Sequence, residues 1–452
     1  MKRNIDLLHG RIFPSLTGLA LPIMATSLVQ MAYNLTDMAW IGRVGAPAVA
    51  SVGAAGMYTW LSQGVVALPR MGGQIKVAHS LGEGDGPEAG RYASCALQMG
   101  IVLALLYAAV SLVGARPLIG FFGLSDTATV ANAELYLRIT CGCILFPFLN
   151  AIFTGIFTAA GDSKTPLLAN VVGLVINILL DPVLIFGLGP FPRMEVVGAA
   201  AATVLAQIIV TVVFLAAARA DRVIFDKVKL LRRVSSYHRT MIIRLGLPAM
   251  IQNLIYTSIS MVLTKFVTGW GDSAVAVQRL GSQIESISWM TADGFASAVN
   301  SFTGQNYGAR QMGRVKRGYF TAVGVMFLWG LFCSALLIVV PGPIFRLFIR
   351  EADVVPMGIN YLTVLGFSQM FMCIEITTVG ALSGLGKTFL SSLISVLLTS
   401  ARIPLAVILG ATALGLDGIW WAYSVSSIAK GIVFFLCFLA VLRKLERAEI
   451  TH

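Results

Sequence analysis

A succession of apolar runs, each long enough to cross a bilayer, constrains this chain more than any other feature. About 20 apolar residues at ~1.5 Å per residue cover the hydrocarbon core. The first long run, LALPIMATSLVQMAYNLTDMAWIGRVG (Leu19 to Gly45), meets that length and still carries one acid, Asp37. A charge at such depth costs at least ~2.5–3.5 kcal/mol on insertion scales, so it is expected to face a cavity, a partner or a proton. Gln30, Tyr33, Asn34 and Asp37 fall at i, i+3, i+4 and i+7, which is one face of a helix. That polar stripe favours an interior site over an acid snorkelling to water at the interface.

Runs of this kind recur along the 452 residues, of which 57% are hydrophobic and 12% charged, with a mean hydropathy of +0.82. Soluble chains average about 25% charged residues. The expected fold is an all-α polytopic membrane protein, and the alternation of a membrane barrel strand is missing from the sequence. Twelve spans are predicted, near 14–42, 47–76, 91–114, 131–159, 164–188, 195–218, 241–268, 273–305, 315–341, 356–384, 388–413 and 416–442. The long polar segment Arg219–Arg244 separates spans six and seven. The predicted organisation is a six-helix lobe over 1–218, a basic cytoplasmic linker over 219–240 and a second six-helix lobe over 241–452.

The net charge of +12 does not point to nucleic acid, because the basic residues sit between spans. With a cytoplasmic N-terminus, 22 of the 33 Lys and Arg fall in inside segments and 5 in outside loops. That bias places both termini inside the cell. The linker then touches anionic lipid as an ordinary positive-inside loop. Met1 to Arg11 is short and basic with no small-residue cleavage site, so no cleavable leader is expected. The six cysteines, Cys95, Cys141, Cys143, Cys333, Cys373 and Cys437, lie in apolar spans and read as reduced packing residues.

The two halves repeat. At an offset of 226, Leu19, Leu21, Pro22, Met24 and Leu28 match Leu245, Leu247, Pro248, Met250 and Leu254. Gly45, Ser62, Gly82 and Arg91 match Gly271, Ser288, Gly308 and Arg317 in the same register. GDSKT at Gly161–Thr165 resembles GLGKT at Gly384–Thr388, at an offset of 223. An even number of spans per half makes the repeat parallel, as among secondary transporters, with substrate expected between the halves.

Asp181 is the second intramembrane acid of the first half, with Asn177 four residues earlier on the same face. Pro182 follows it, and a kink is expected there. If Asp37 and Asp181 meet, the two carboxylates do not both ionise easily. Such a pair would bind a proton or, with Asn177, a small hard cation such as Na⁺. Asn150 and Thr203 are candidate polar neighbours. In the second half Leu263 stands where Asp37 would be. Lys265, Arg279, Glu285, Asp293, Glu375 and Arg402 supply charge there instead. They read either as buried ion pairs joining helices or as a second cation or substrate site around Glu285 and Glu375.

Twelve spans, two six-span halves, P-x14-D from Pro22 to Asp37, N-x-x-x-D-P at Asn177–Pro182 and the G-x-x-K-T loops together resemble the multidrug and toxic compound extrusion (MATE) family. The resemblance covers nearly the whole chain. It implies a two-lobe secondary active exporter of organic, often cationic, compounds, driven by H⁺ or Na⁺ through alternating access. It carries the DinF-type cation-coupling role onto Asp37, Asn177 and Asp181. It implies a substrate cavity that includes Gln30, Tyr33, Asn34, Asn150, Thr203, Gln252, Tyr256, Gln278, Glu285 and Glu375. The second-lobe sodium site of NorM-type members needs an acid in span seven, where Gln252 and Tyr256 stand instead.

No P-loop, H-E-x-x-H or G-x-S-x-G occurs, and no enzyme activity or cofactor is expected beyond the coupling ion. A monomer in the inner (plasma) membrane, with small drug-like molecules and lipids as partners, fits these features. A flippase of lipid-linked precursors is the nearest alternative, but it would want a strongly basic cavity. A channel or sensor is the alternative from a different class, and repeated halves with intramembrane acids favour alternating access over it.

Overall fold

The computed structural model describes residues 5–122, 126–189, 191–221, 224–230, 234–346 and 354–450. Lys2, Arg3, Arg222, Arg232, Arg233 and Arg350, counted in the charge bias, lie outside these residues. Among the described residues every regular element is helical. The first half holds α1 (Ile12–Gly42), α2 (Ala46–Gly82), α3 (Gly86–Val113), α4 (Ala115–Gly120), α5 (Thr127–Gly142), α6 (Leu145–Ala159), α7 (Lys164–Phe186) and α8 (Glu195–Ala220). The second holds α9 (Ser236–Thr268), α10 (Asp272–Gly308), α11 (Met312–Val339), α12 (Pro341–Arg346), α13 (Val355–Gly366), α14 (Gln369–Gly384), α15 (Thr388–Ser400), α16 (Arg402–Gly410) and α17 (Leu416–Ile450).

Eight helices, counting α15 and α16 as one, are long and apolar enough to span a membrane, and the bent pairs α5–α6 and α13–α14 raise this to 10. The remaining two spans are α2 and α10, 37 residues each, whose polar residues (Gln63, Gln74, Gln278, Glu285) make them less apolar. The bends of 44° and 47° were not read from the sequence. Each occurs where the ladder tightens to i→i−3 bonds, Ile144 N to Cys141 O at 3.3 Å and Ser368 N to Leu365 O at 3.1 Å. Gly142 and Gly366 precede the two breaks, and such small residues are where helices kink. Pro182, by contrast, sits inside an unbroken α7.

The repeat is carried into the backbone. The bounds of α2, α3 and α4 reappear 226 residues later in α10, α11 and α12. The turn before α7 recurs at a different register: Asp162 N bonds Phe157 O at 2.9 Å, and Lys387 N bonds Leu382 O at 2.9 Å. Gly161 (φ 83°) and Gly386 (φ 72°) hold the same left-handed corner. The structural offset there is therefore 225, and the Lys-Thr pairs of GDSKT and GLGKT fall out of step. The first loop is a helix cap. Asp162 Oδ1 accepts from the Lys164 and Thr165 amides at 3.1 Å each, and Oδ2 from the Thr165 hydroxyl at 2.6 Å.

The chain forms two compact units, and their edges differ from the expected boundaries at 218 and 241. One comprises Ala25–Met250 with Ile5, and the other Asp6–Met24 with Ile251–His452. Helices α1 and α9 thus each change unit two residues past an internal proline, Pro22 and Pro248. The linker is more than a loose charged loop. Ile224 is fully buried, Phe225 packs on Phe157 at 4.7 Å between ring centroids, and the Gln98 amide donates to Leu230 O at 2.7 Å. His238, in the first turn of α9, meets Glu88 at 2.9 Å. All six cysteines are unpaired.

Candidate functional site

In the first unit the expected acids come together. Asp37 on α1 and Asp181 on α7 interact side chain to side chain, and the Asn177 amide reaches both. Asn177 Nδ2 donates to Asp181 Oδ1 at 3.1 Å, and Thr203 Oγ1 on α8 donates to Asp37 Oδ2 at 3.3 Å. Asn177 and Asp181 have no exposed surface, while Asp37 is half-buried. The fourth helix of the site is α5, whose Tyr136 stands beside both carboxyls, as Tyr33 of α1 does.

Local sequence accounts for this convergence. Spacing of four places Asn177 and Asp181 one above the other on α7. Gly198 lets α8 close onto α7, since a Cβ there would lie 2.5 Å from the Leu184 carbonyl oxygen. That approach brings Thr203 to the acids. Three buried oxygens at the centre have no hydrogen-bond partner: Asp37 Oδ1, Asp181 Oδ2 and Asn177 Oδ1. Ionised carboxylates only accept, so facing carboxylates cannot satisfy each other. A buried acceptor left alone costs about 1–3 kcal/mol. This oxygen set fits one added positive species, a shared proton or a small hard cation.

The other expected residues are distributed differently. Gln30 and Asn34 share the helix face of Tyr33 and Asp37 but are exposed and do not join the acids. Asn150 belongs to a separate link: its Nδ2 donates to Gln207 Oε1 at 2.9 Å and its Oδ1 accepts from Thr211 at 2.8 Å, tying α6 to α8. In the second unit, Gln252 bonds Ser395 at 3.1 Å and Gln278 bonds Thr264 at 3.3 Å. Glu285 meets Gln369, and Tyr256 covers Arg402. Glu375 is half of a buried ion pair with Lys430, 2.8 Å apart, with the two side chains 8% and 6% exposed. Lys265 and Arg279 are exposed and make no ion pair among the described residues, so they do not join helices as expected.

Sequence reasoning missed Tyr136 and Lys430. The repeat held the signal for the first, because Tyr136-Leu137 and Tyr361-Leu362 recur at an offset of 225. Lys430 was detectable as a lone cation in an apolar run that needs a buried partner.

The MatE family model matches this chain twice, at residues 22–183 and again at 248–408. The chain belongs to the MATE family. It is a multi-pass membrane transporter and not an enzyme. A NorM multidrug resistance protein of Thermotoga maritima is 27% identical, covering 94% of this chain and 92% of its own. A FAD transporter of Shewanella oneidensis is 24% identical over 96% of both chains. A crystallised MATE in a bent conformation aligns over 99% of each chain with a TM-score of 0.92 and 24% identity. Both its fold and the doubled family match agree with the two six-span halves read from the sequence.

Proposed function

We propose that this MATE transporter is a secondary active exporter of drug-like organic compounds, many of them cationic, driven by inward flow of H⁺ or Na⁺. The observation that carries this reading is the facing pair Asp37–Asp181 with three unpartnered oxygens around it. The drug-like substrate class is inferred from the multidrug-resistance name of the Thermotoga relative. Asp37 and Asp181 hold the coupling cation, Asn177 orients Asp181, and Thr203 orients Asp37. A cationic guest near the pair competes with the coupling ion for the same negative charge. By linkage each then lowers the other's affinity by an equal factor.

The 22-to-5 distribution of basic residues supports an orientation with both termini and the linker in the cytoplasm, and the protein is read as a monomer of the plasma membrane. A cysteine introduced at Ser236 is expected to resist labelling from outside intact cells, and outside labelling would reverse the orientation. The test of transport is dye efflux from proteoliposomes under separately imposed H⁺ and Na⁺ gradients. Efflux that responds to one gradient identifies the ion. Efflux indifferent to both sinks the coupled-exporter reading.

A further inference from the structure

Applying the repeat to the carboxylate site shows what replaced it in the second unit. The turn that opens α7 recurs 225 residues later, at Gly161 and Gly386. The far end of the helix keeps that register, because Gly198 lies against the Leu184 carbonyl and Gly418 against the Leu409 carbonyl. Asn177 therefore corresponds to Arg402 and Asp181 to Ala406. Asp37 corresponds to Leu263 at the 226 offset, and both Leu263 and Ala406 lie in one apolar cluster. Gly198 and Gly418 set the last pair of helices at an offset of 220, so Thr203 corresponds to Tyr423. Both acids are gone from the second unit, and a guanidinium stands in the place of the amide.

Arg402 is an unusual buried cation. It is 5% exposed, and no carboxylate lies within 4.0 Å of it among the described residues. Its Nε donates to Ser426 Oγ at 3.3 Å and one terminal nitrogen to Ser427 Oγ at 3.0 Å. Neither hydroxyl neutralises it. The Tyr423 and Tyr256 rings lie 5.0 and 5.9 Å from its guanidinium carbon. Tyr256 is 44% exposed, so this cluster reaches the surface of its unit at that ring. Glu285 meets Gln369 and acts on Arg402 through charge without an ion pair, and Glu375 is committed to Lys430. This buried guanidinium is held by two hydroxyls and two aromatic faces, with no carboxylate in contact to neutralise it. A planar anion would meet it through two parallel bonds, and an aromatic body would stack on Tyr256.

We propose that Arg402, with Tyr256 and Tyr423, forms an anion-accepting subsite for the carboxylate or phosphate of an aromatic guest. The two units then take opposite charges at repeat-related positions. This deepens the exporter reading and rests on it for its role in transport, but binding at Arg402 is measurable without transport.

The test uses two dyes that differ in one group. Rhodamine 110 carries a free carboxylate, and rhodamine 123 is its methyl ester. Fluorescence anisotropy on the full protein in detergent gives both affinities. Wild type is expected to bind rhodamine 110 the more tightly. Arg402→Gln is expected to weaken rhodamine 110 about tenfold, the size of one charge-assisted contact, and to leave rhodamine 123 within about twofold. Wild type that prefers the ester, or binds neither dye, overturns the subsite, as does an Arg402→Gln protein that treats both dyes alike. Should Arg402→Gln not fold, competition on the wild type decides: benzoate that displaces rhodamine 110 but not rhodamine 123 supports the subsite, and equal displacement or none overturns it. Carboxylate-selective binding in a protein that exports nothing in liposomes would sink the exporter reading and leave the subsite standing.

Discussion

The two units solve the same structural problem with different chemistry. In both, the long bent span is tied to the last helix from one matching position on the bent span. In the first, Asn150 bonds Gln207 and Thr211. In the second, Glu375, 225 residues later, meets Lys430 at 2.8 Å. One tie is neutral and the other ionic, although both join repeat-related helices. The larger contrast lies one helix away. The first unit holds two carboxyls and an amide with unsatisfied oxygens, and the second holds Leu263, Ala406 and Arg402. Among the described residues the facing carboxyl pair lies in the first unit, while in the second Glu375 closes on Lys430 and Arg402 has no carboxylate in contact. A shared fold fixes where polar groups can gather, while side chains decide which sign they take.

The strongest challenge to this contrast is Asp37→Asn. It keeps size and hydrogen bonding but removes the group that exchanges a cation. Gradient-driven dye efflux is expected to fall to background with the protein still folded. Wild-type efflux at equal expression would place coupling outside the first unit. Glu375→Ala should act on stability instead, because it leaves Lys430 buried without its partner. A loss of about 3–5 kcal/mol is expected, read as a lowered melting temperature in detergent. The double change Glu375→Gln with Lys430→Met should recover most of it, and an unchanged melt in the single variant would show that the pair is not a structural tie.

Asn150→Ala tests the neutral tie. It leaves the Gln207 side-chain oxygen without its donor, while Thr211 keeps its bond to the Gln207 carbonyl at 2.9 Å; the cost is about 1–3 kcal/mol, and the variant should melt closer to wild type than Glu375→Ala. The reverse order would make the neutral tie the stronger one. The smallest effect expected is on pH. Protonated carboxyls attract a cation less, so a permanently cationic dye should bind more weakly as pH falls, by at most about tenfold per pH unit for one proton. Asp181→Asn should flatten the slope and Arg402→Gln should leave it alone. A slope that survives Asp181→Asn would remove the pair from the coupling.

Most of the architecture was legible along the chain. Helices in a bilayer must satisfy their own backbone, so length and apolarity locate spans without tertiary knowledge. The pairing of Asp37 with Asp181 was also legible, because each sits at helical spacing beside polar neighbours, and an intramembrane acid needs company. The GDSKT and GLGKT loops misled by two residues, since a short motif can slide while the glycine corner that shapes the turn stays put.

The sequence by itself determined the helices, the repeat and the presence of an acidic site in one half, because those follow from local composition and period. Only the tertiary structure decided which buried groups meet. It left Gln30 and Asn34 exposed, gave Glu375 to Lys430, brought Tyr136 beside the acids and left Arg402 between tyrosines with two serines. Such partnerships depend on how closely helices approach and in what register. Gly198 and Gly418 at helix crossings set both, and no periodicity within a single helix encodes them.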